Sequence, residues 1–189
     1  PELESVIRTL FKKPYFPVPY EALGATITYH QLEPRKPKMV GDIELTPYQL
    51  DHPDPCWGFK IKNAGKTFSL CVDTECTRAS AEAMGPDLPL YQGVDAMLFD
   101  GQYTLAEAAE RVSWGHSTAS IGLDIAMREG IKEIYFAHHD PSLSDKSIAD
   151  SEKQAREYYE SQLKTERRAG RGAHEVDWSF AYEGLVISL

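Results

Sequence analysis

Cysteine is scarce in this sequence, and long hydrophobic runs are missing from it. The 189 residues include three cysteines, Cys56, Cys71 and Cys76. That number is small and odd, which argues against a disulfide scaffold and favours a reducing compartment. A membrane-spanning helix needs roughly 18 consecutive apolar residues, and no run approaches that length. We therefore expect a cytoplasmic protein with no membrane partner.

Positive charge is also in short supply. Twenty Lys and Arg stand against 29 Asp and Glu, which gives a formal net charge of −9. Non-specific binding of DNA or RNA needs a basic patch to neutralise phosphates, so we do not expect a nucleic-acid partner. A small anionic substrate held by a metal remains compatible with this charge. The length and the 42% apolar content predict one globular domain over residues 1–189.

The hydrophobic pattern predicts strands first and a mixture of strands and helices later. In the first part we predict a helix at 2–11, strands at 25–31, 42–50, 57–62 and 67–72, and a short helix within 76–94. In the second part we predict strands at 95–100, 133–137, 175–178 and 182–189, and helices at 105–111, 119–129 and 144–168. A β meander followed by alternating elements is typical of a layered α/β architecture with a mixed sheet.

Histidine and aspartate occur in four loops next to predicted strands or helices. They are His52 in DHPDP, Asp73 in CVDTEC, His116 in WGHST, and His138 with His139 in AHHDP. Layered α/β proteins place ligand and metal sites in such loops, and imidazole and carboxylate suit zinc, iron or manganese. Each residue taken singly is more often structural, and the spacing contains no compact metal motif such as HExxH. The residues alone leave both interpretations open.

Five segments in order resemble a known family. LDHPDPCWGFKI, FSLCVDTE, VDAMLFDGQYT, WGHST and IYFAHHDP are similar to the second half of the metallo-β-lactamase fold, and closest to its RNase Z-like and phosphodiesterase-like branch. The resemblance covers roughly residues 14–150 and the closing segment YEGLVISL. It implies an α/β fold, the αβ/βα layered sandwich of that family, of which this chain provides the second half.

The resemblance also implies roles for individual residues. His52 and His138 correspond to metal-ligand histidines, and Asp73 to the carboxylate that bridges two metals. His116 corresponds to a histidine near the scissile phosphate, where it stabilises charge or protonates the leaving oxygen. Asp100 either orients His116 or caps the next turn. The implied cofactor is a pair of divalent ions, zinc by default, with iron or manganese as alternatives.

His139 and the family's signature motif depart from this pattern. The residue after the later ligand varies in related sequences, so His139 is expected to point elsewhere or to lie behind the ligands without binding the metals. The signature motif HxHxDH, which supplies further ligands, does not occur in the 189 residues. In related proteins it would precede residue 1. We therefore expect the rest of the site on a longer chain or a second chain, unless the protein is a metal-free derivative.

An apolar face of the meander leads to a related expectation. Ile43 and Leu45, Phe59 and Ile61, and Phe68 and Leu70 alternate with polar residues. Since a large exposed apolar surface is rare in soluble monomers, this face requires a cover. We expect upstream residues, a second polypeptide or a homo-oligomeric partner to provide it.

The leading functional hypothesis is a metal-dependent hydrolase of a phosphodiester or related ester, with metal-bound hydroxide as the nucleophile. A small anionic substrate such as a cyclic nucleotide suits the acidic composition. Two alternatives stay open. One is a lactonase or thioesterase of the same superfamily, and the other is a non-catalytic sensor or interaction module that keeps the fold without a complete metal site.

Overall fold

The computed structural model describes residues 3–77, 79–170 and 174–189. The chain divides into two compact units, Pro1–Leu32 and Glu33–Leu189. The single domain expected over residues 1–189 stays a prediction, and each unit is considered by itself below.

The first unit contains helix α1, Leu3–Leu10, and a short 3-10 helix, Tyr20–Ala22. Helix α1 confirms the prediction over 2–11. Arg8 forms ion pairs with Glu4 and Glu21, and its guanidinium lies 4.1 Å from the centre of the Tyr20 ring. The predicted strand at 25–31 is wrong, because these residues join no strand ladder in the described structure. A β-rich composition produces a strand only where a neighbouring strand pairs with it.

The second unit is built on one seven-stranded sheet in which each strand lies beside its neighbours in sequence. Its strands are β1 Lys38–Val40, β2 Ile43–Gln49, β3 Trp57–Asn63, β4 Lys66–Cys71, β5 Ala96–Asp100, β6 Glu133–Ala137 and β7 Asp177–Phe180. Strands β1 to β4 pair antiparallel, and β4 to β7 pair parallel. The predicted mixed sheet is therefore confirmed.

The tight turn between β3 and β4 shows how local sequence sets the register. Asn63 pairs with Lys66, which leaves only Ala64 and Gly65 in the turn. Both have positive φ, +47° and +78°. Two-residue hairpins favour this conformation because its twist matches that of the strands.

Three strand predictions need correction. Strand β1 begins at Lys38, in a proline-containing segment that predicted only a polar turn, because β2 offers it a pairing edge. Strand β7 lies two residues later than the predicted strand at 175–178. The predicted strand at 182–189 is wrong, since this part of the described chain joins no ladder and Val186 is 83% exposed.

The helices of the second unit begin at clear capping residues. They are α2 Ala81–Met84, α3 Leu105–Glu110, α4 Ala119–Glu129 and α5 Asp145–Arg168, with a 3-10 helix at Gly85–Leu90 after α2. The N-cap hydroxyls of Ser80, Thr104, Thr118 and Ser144 each accept a backbone hydrogen bond from the first turn, as N-caps generally do. Among the helices described, none has the length and hydrophobicity needed to cross a bilayer.

The hydrophobic core lies on one face of the sheet. Phe99 of β5 and Phe136 of β6 are fully buried there, together with Leu123 and Ile125 of α4. Burial of each such side chain contributes about 1.5–3 kcal/mol. On the opposite face Phe59 and the other meander residues Ile61, Phe68 and Leu70 are only partly buried. The two faces of the sheet therefore differ in how completely they are covered.

Gly122 allows α4 to approach this core closely. A Cβ atom there would lie 2.6 Å from Cε1 of Phe136 and 2.7 Å from Cδ1 of Phe99. We expect Gly122→Ala to lower the free energy of unfolding by roughly 1–2 kcal/mol, because overpacking outweighs the better helix propensity of alanine. Urea unfolding measures this. Gly24→Ala is the matched control, since its Cβ would meet no atom within 4 Å. Equal stability of the two variants would contradict the prediction.

Candidate metal centre

The candidate site lies where three parallel strands end. Asp73 follows β4 by two residues, Asp100 is the last residue of β5, and His138 directly follows β6. Carboxyl ends of parallel strands meet at one edge of a sheet, which is the usual ligand edge in α/β proteins. The loop after β2 brings His52 to the same place, and the loop before α4 brings His116.

Three imidazole nitrogens surround one carboxylate oxygen. The Oδ1 atom of Asp73 lies 3.5 Å from Nε2 of His52, 3.6 Å from Nδ1 of His116 and 3.6 Å from Nε2 of His138. Zinc binds nitrogen and oxygen at about 2.0–2.1 Å, so two tetrahedral ligands of one ion lie about 3.3 Å apart. The donor set and its spacing therefore fit a divalent metal.

The cluster that could hold an ion also includes Asp100. One ligand atom from each of Asp73, Asp100, His116 and His138 lies within 4.8 Å of the others. His52 stands outside this set but contacts Asp73 as described above. The structure thus brings all five predicted site residues together, and the division between metal ligands and catalytic groups stays a prediction.

Asp100 is the most buried of these residues and receives the most hydrogen bonds. Its side chain is fully buried, and its Oδ2 lies 3.2 Å from Nδ1 of His116. Its carboxylate also accepts backbone N–H donors from Asp73, Thr74, Gln102 and Ser117. Burial raises the pKa of Asp100, and the amide donors and His116 oppose that rise. This carboxylate ties the loops after β4 and before α4 to the end of β5.

Two site residues have a left-handed backbone. Asp73 has φ +65° and His138 has φ +64°. Residues other than glycine rarely adopt this region, at a cost of order 1–3 kcal/mol, and such residues cluster at functional sites. The hydrogen bond from the Asp73 N–H to Asp100 helps hold the first of these conformations.

His52 is fixed on two sides. Its Nδ1 lies 3.0 Å from the carbonyl oxygen of Asp54. The backbone N–H of Asp54 also lies 3.1 Å from Nδ1, so Nδ1 either donates to the carbonyl or accepts from the amide. Both contacts hold the ring so that Nε2 faces Asp73. On the other side lies Gly115, with φ +87°, where a Cβ would stand 2.2 Å from Cδ2 of His52. Only glycine permits this approach.

The site contains two residues that the sequence pattern did not single out. Gly115 is the first. The second is Glu75, whose buried carboxylate accepts hydrogen bonds from the backbone N–H groups of Ser113 and Gly115. The partners of both residues are distant in sequence, so no local spacing could reveal them.

His139 occupies a different environment from its neighbour His138. Its ring stacks on Phe180 with centroids 5.1 Å apart and planes 22° apart. Burial lowers the pKa of His139. It is not among the residues whose ligand atoms cluster around Asp73.

No protein-family model matches this sequence, and no curated protein matches it by sequence. Solved structures do match. One is the metallo-β-lactamase fold protein YhfI from Bacillus subtilis, with 15% identity, a TM-score of 0.57, and coverage of 82% of this chain and 53% of that chain. Another is a diphosphatase from the PhnP family, with 14% identity, a TM-score of 0.55, and coverage of 90% of this chain and 52% of that chain. The chain has a metallo-β-lactamase fold.

At these identities the likeness establishes the fold. The metallo-β-lactamase fold implied by the five segments is thereby confirmed, as is its α/β class. The chain spans about half the length of the two solved structures.

The close packing of Gly115 and His52 leads to a prediction. We expect Gly115→Ala to displace the His52 ring and weaken Zn²⁺ binding by about 10- to 100-fold, the usual cost of losing support for a ligand. Calorimetric titration of the metal-free protein measures this. Ser113→Ala is the control, because the contact from Ser113 to Glu75 is made by its backbone. Unchanged affinity in Gly115→Ala would show that His52 is not a ligand.

Proposed function

We propose that this chain carries part of the active site of a cytoplasmic, metal-dependent hydrolase that acts on a phosphodiester or related ester. The observation that supports it is the group of three imidazole nitrogens within 3.6 Å of one oxygen of Asp73. A divalent metal, when bound, supplies Lewis acidity and a water of lowered pKa as the nucleophile.

In this proposal His52, Asp73 and His138 hold the metal. Zinc is the default ion because nitrogen and carboxylate ligands suit it, and iron or manganese is the alternative. Asp73 has two carboxylate oxygens and can contact two ions. Its side chain is 40% exposed and that of His138 is 39% exposed, so a substrate can reach this centre.

His116 and Asp100 act on the leaving group. The buried carboxylate of Asp100 holds Nδ1 of His116 at 3.2 Å, which orients the ring. An imidazolium held in this way can stabilise developing charge on a phosphoryl oxygen or donate its Nε2 proton to the leaving oxygen. Asp100 therefore serves as a positioning residue for His116.

A cavity of about 300 Å³ opens beside His52, and Leu50, Met84, Asp51 and Asp87 contribute to its wall. The other four site residues do not line it, so it adjoins the centre only through His52. Its volume is at the lower end for small-molecule sites. The net charge of −9 disfavours a long polyanion and favours a small anionic phosphoester, such as a cyclic nucleotide. The similar fold of a diphosphatase supports testing phosphoesters first.

We further propose that another polypeptide segment completes the site and covers the second face of the sheet. Phe59, Ile61, Phe68 and Leu70 on that face are only partly buried, whereas the core face is closed. The segment would belong to a longer chain, a second chain or another copy. Light scattering of the 189-residue protein tests this, and a stable monomer that binds no hydrophobic dye would contradict it.

The decisive test of the function combines metal analysis with hydrolysis. We expect the protein that includes the segment completing the site, once reconstituted with Zn²⁺ or Mn²⁺, to retain about two ions and to cleave bis(p-nitrophenyl) phosphate or a cyclic nucleotide. Chelation should abolish turnover, and returning the metal should restore it. Hydrolysis of a lactone or thioester instead of these phosphoesters would support the lactonase or thioesterase alternative. Absence of bound metal after reconstitution would support the non-catalytic module.

A second test separates His116 from the metal ligands. We expect His116→Ala to lower kcat by about 100- to 10,000-fold, the usual range for general acid–base catalysis, with metal content unchanged. His174→Ala is the control, because its ring bonds to the Ile131 carbonyl at the opposite end of β6. Loss of metal in His116→Ala would make His116 a ligand and overturn the role proposed for it.

A further inference from the structure

Glu75 lies at the junction of the three loops that carry His52, Asp73 and His116. It is buried, with 9% of its surface exposed, and it follows Asp73 by two residues. Its backbone N–H donates to the carbonyl oxygen of Asp51 at 2.7 Å, which is the residue before His52. Its main chain therefore joins the loop after β4 to the loop after β2.

The side chain of Glu75 reaches the third loop. Oε1 accepts the N–H of Ser113 at 2.8 Å, and Oε2 accepts the N–H of Gly115 at 3.3 Å. Both donors have a left-handed backbone, with φ +68° and +87°. Backbone amides exposed by such turns form concave anion sites. The carboxylate of Glu75 occupies one of these, directly before His116 in the chain.

Gly115, one of the two donors to Glu75, also lies against the ring of His52. No Cβ could stand between Gly115 and the His52 ring, because it would lie 2.2 Å from Cδ2 and 2.5 Å from Nε2. The position of the 113–115 backbone therefore limits where the His52 ring can lie. The same backbone leads into His116, whose ring centre is 6.4 Å from that of His52.

We propose that Glu75 is a positioning residue that sets the spacing of His52, Asp73 and His116 by binding the 113–115 backbone with both carboxylate oxygens. A carboxylate suits this task because it offers two acceptors and no donor to two N–H groups. The side-chain amide of glutamine has one acceptor oxygen, and its NH₂ group would face one of the two backbone N–H groups. The inference concerns the same site as the proposed hydrolase, but its test does not depend on turnover.

The test compares Glu75→Gln with a matched glutamate. Glu107 also accepts a backbone N–H, from Thr104, but within the cap of α3. Imidazole resonances of the metal-free full chain and amide hydrogen exchange are measured for wild type, Glu75→Gln and Glu107→Gln. We expect Glu75→Gln to shift the ring signals of His52 and His116 and to speed exchange at Ser113 or Gly115 by at least about tenfold, roughly one lost hydrogen bond. Glu107→Gln should change none of these signals.

Metal binding supplies the second readout. We expect Glu75→Gln to weaken Co²⁺ binding by about 10- to 100-fold, as loss of a residue that orients ligands usually does, and to change the visible absorption of bound Co²⁺. Glu75→Asp, which keeps the charge but shortens the reach, should not restore either property.

The outcomes separate this inference from the proposed function. Unshifted His52 and His116 signals in a folded Glu75→Gln variant would overturn the positioning role, even if melting occurred at a lower temperature. Shifted signals in a protein that binds no Co²⁺ even when the segment completing the site is present would uphold the positioning role and contradict the metal-dependent hydrolase. Should Glu75→Gln fail to fold, Gly115→Ala, which leaves Glu75 intact, must shift the His52 signal for the inference to stand.

Discussion

The site depends on the hydrogen bonds that the buried carboxylate of Asp100 accepts. A carboxylate removed from water costs several kcal/mol unless hydrogen bonds compensate for it. Here four backbone amides and one imidazole provide that compensation. Because all of these donors except the Gln102 N–H come from the loops that carry Asp73 and His116, satisfying one buried charge also places two functional side chains. The sheet supplies the rigid point, since Asp100 is the last residue of a central parallel strand.

Glu75 repeats this arrangement at the rim of the site. It too is a buried acidic side chain whose hydrogen-bond acceptors are filled by backbone amides of a loop. The two carboxylates bind the same loop on either side of His116. Glu75 accepts the N–H groups of Ser113 and Gly115, and Asp100 accepts the N–H of Ser117. A loop held at both ends can present a histidine at a constant distance from Asp73. Such rigidity matters because a misplacement of about 1 Å is enough to impair catalysis severely.

The mixed sheet explains why the site lies at one edge. Its parallel half, β4 to β7, aligns the carboxyl ends of successive strands, so that residues after β4, β5 and β6 meet. The antiparallel meander adds His52 from the end of β2. The left-handed conformations of Asp73 and His138 turn their side chains at the ends of these strands. Local strain is tolerated there because the buried core beneath, around Phe99 and Phe136, is closely packed.

The sequence by itself determined the elements whose pattern is local. Strands β2 to β6 and helices α3 to α5 follow from the apolar periodicity of the sequence. The five site residues could be selected because each is a His or Asp near a strand or helix end, and because their segments resemble a family.

Tertiary structure decided the rest. Residues 25–31 and 182–189 have strand-like composition, but a strand also requires a partner that composition does not specify. Glu75 and Gly115 could not be foreseen, because their partners are brought to them by the fold. The carboxylate of Glu75 accepts hydrogen bonds from N–H groups 38 and 40 residues away. Gly115 must lack a side chain because the His52 ring from another loop lies against it. Contacts between such distant residues exist only once the sheet has aligned the strand ends.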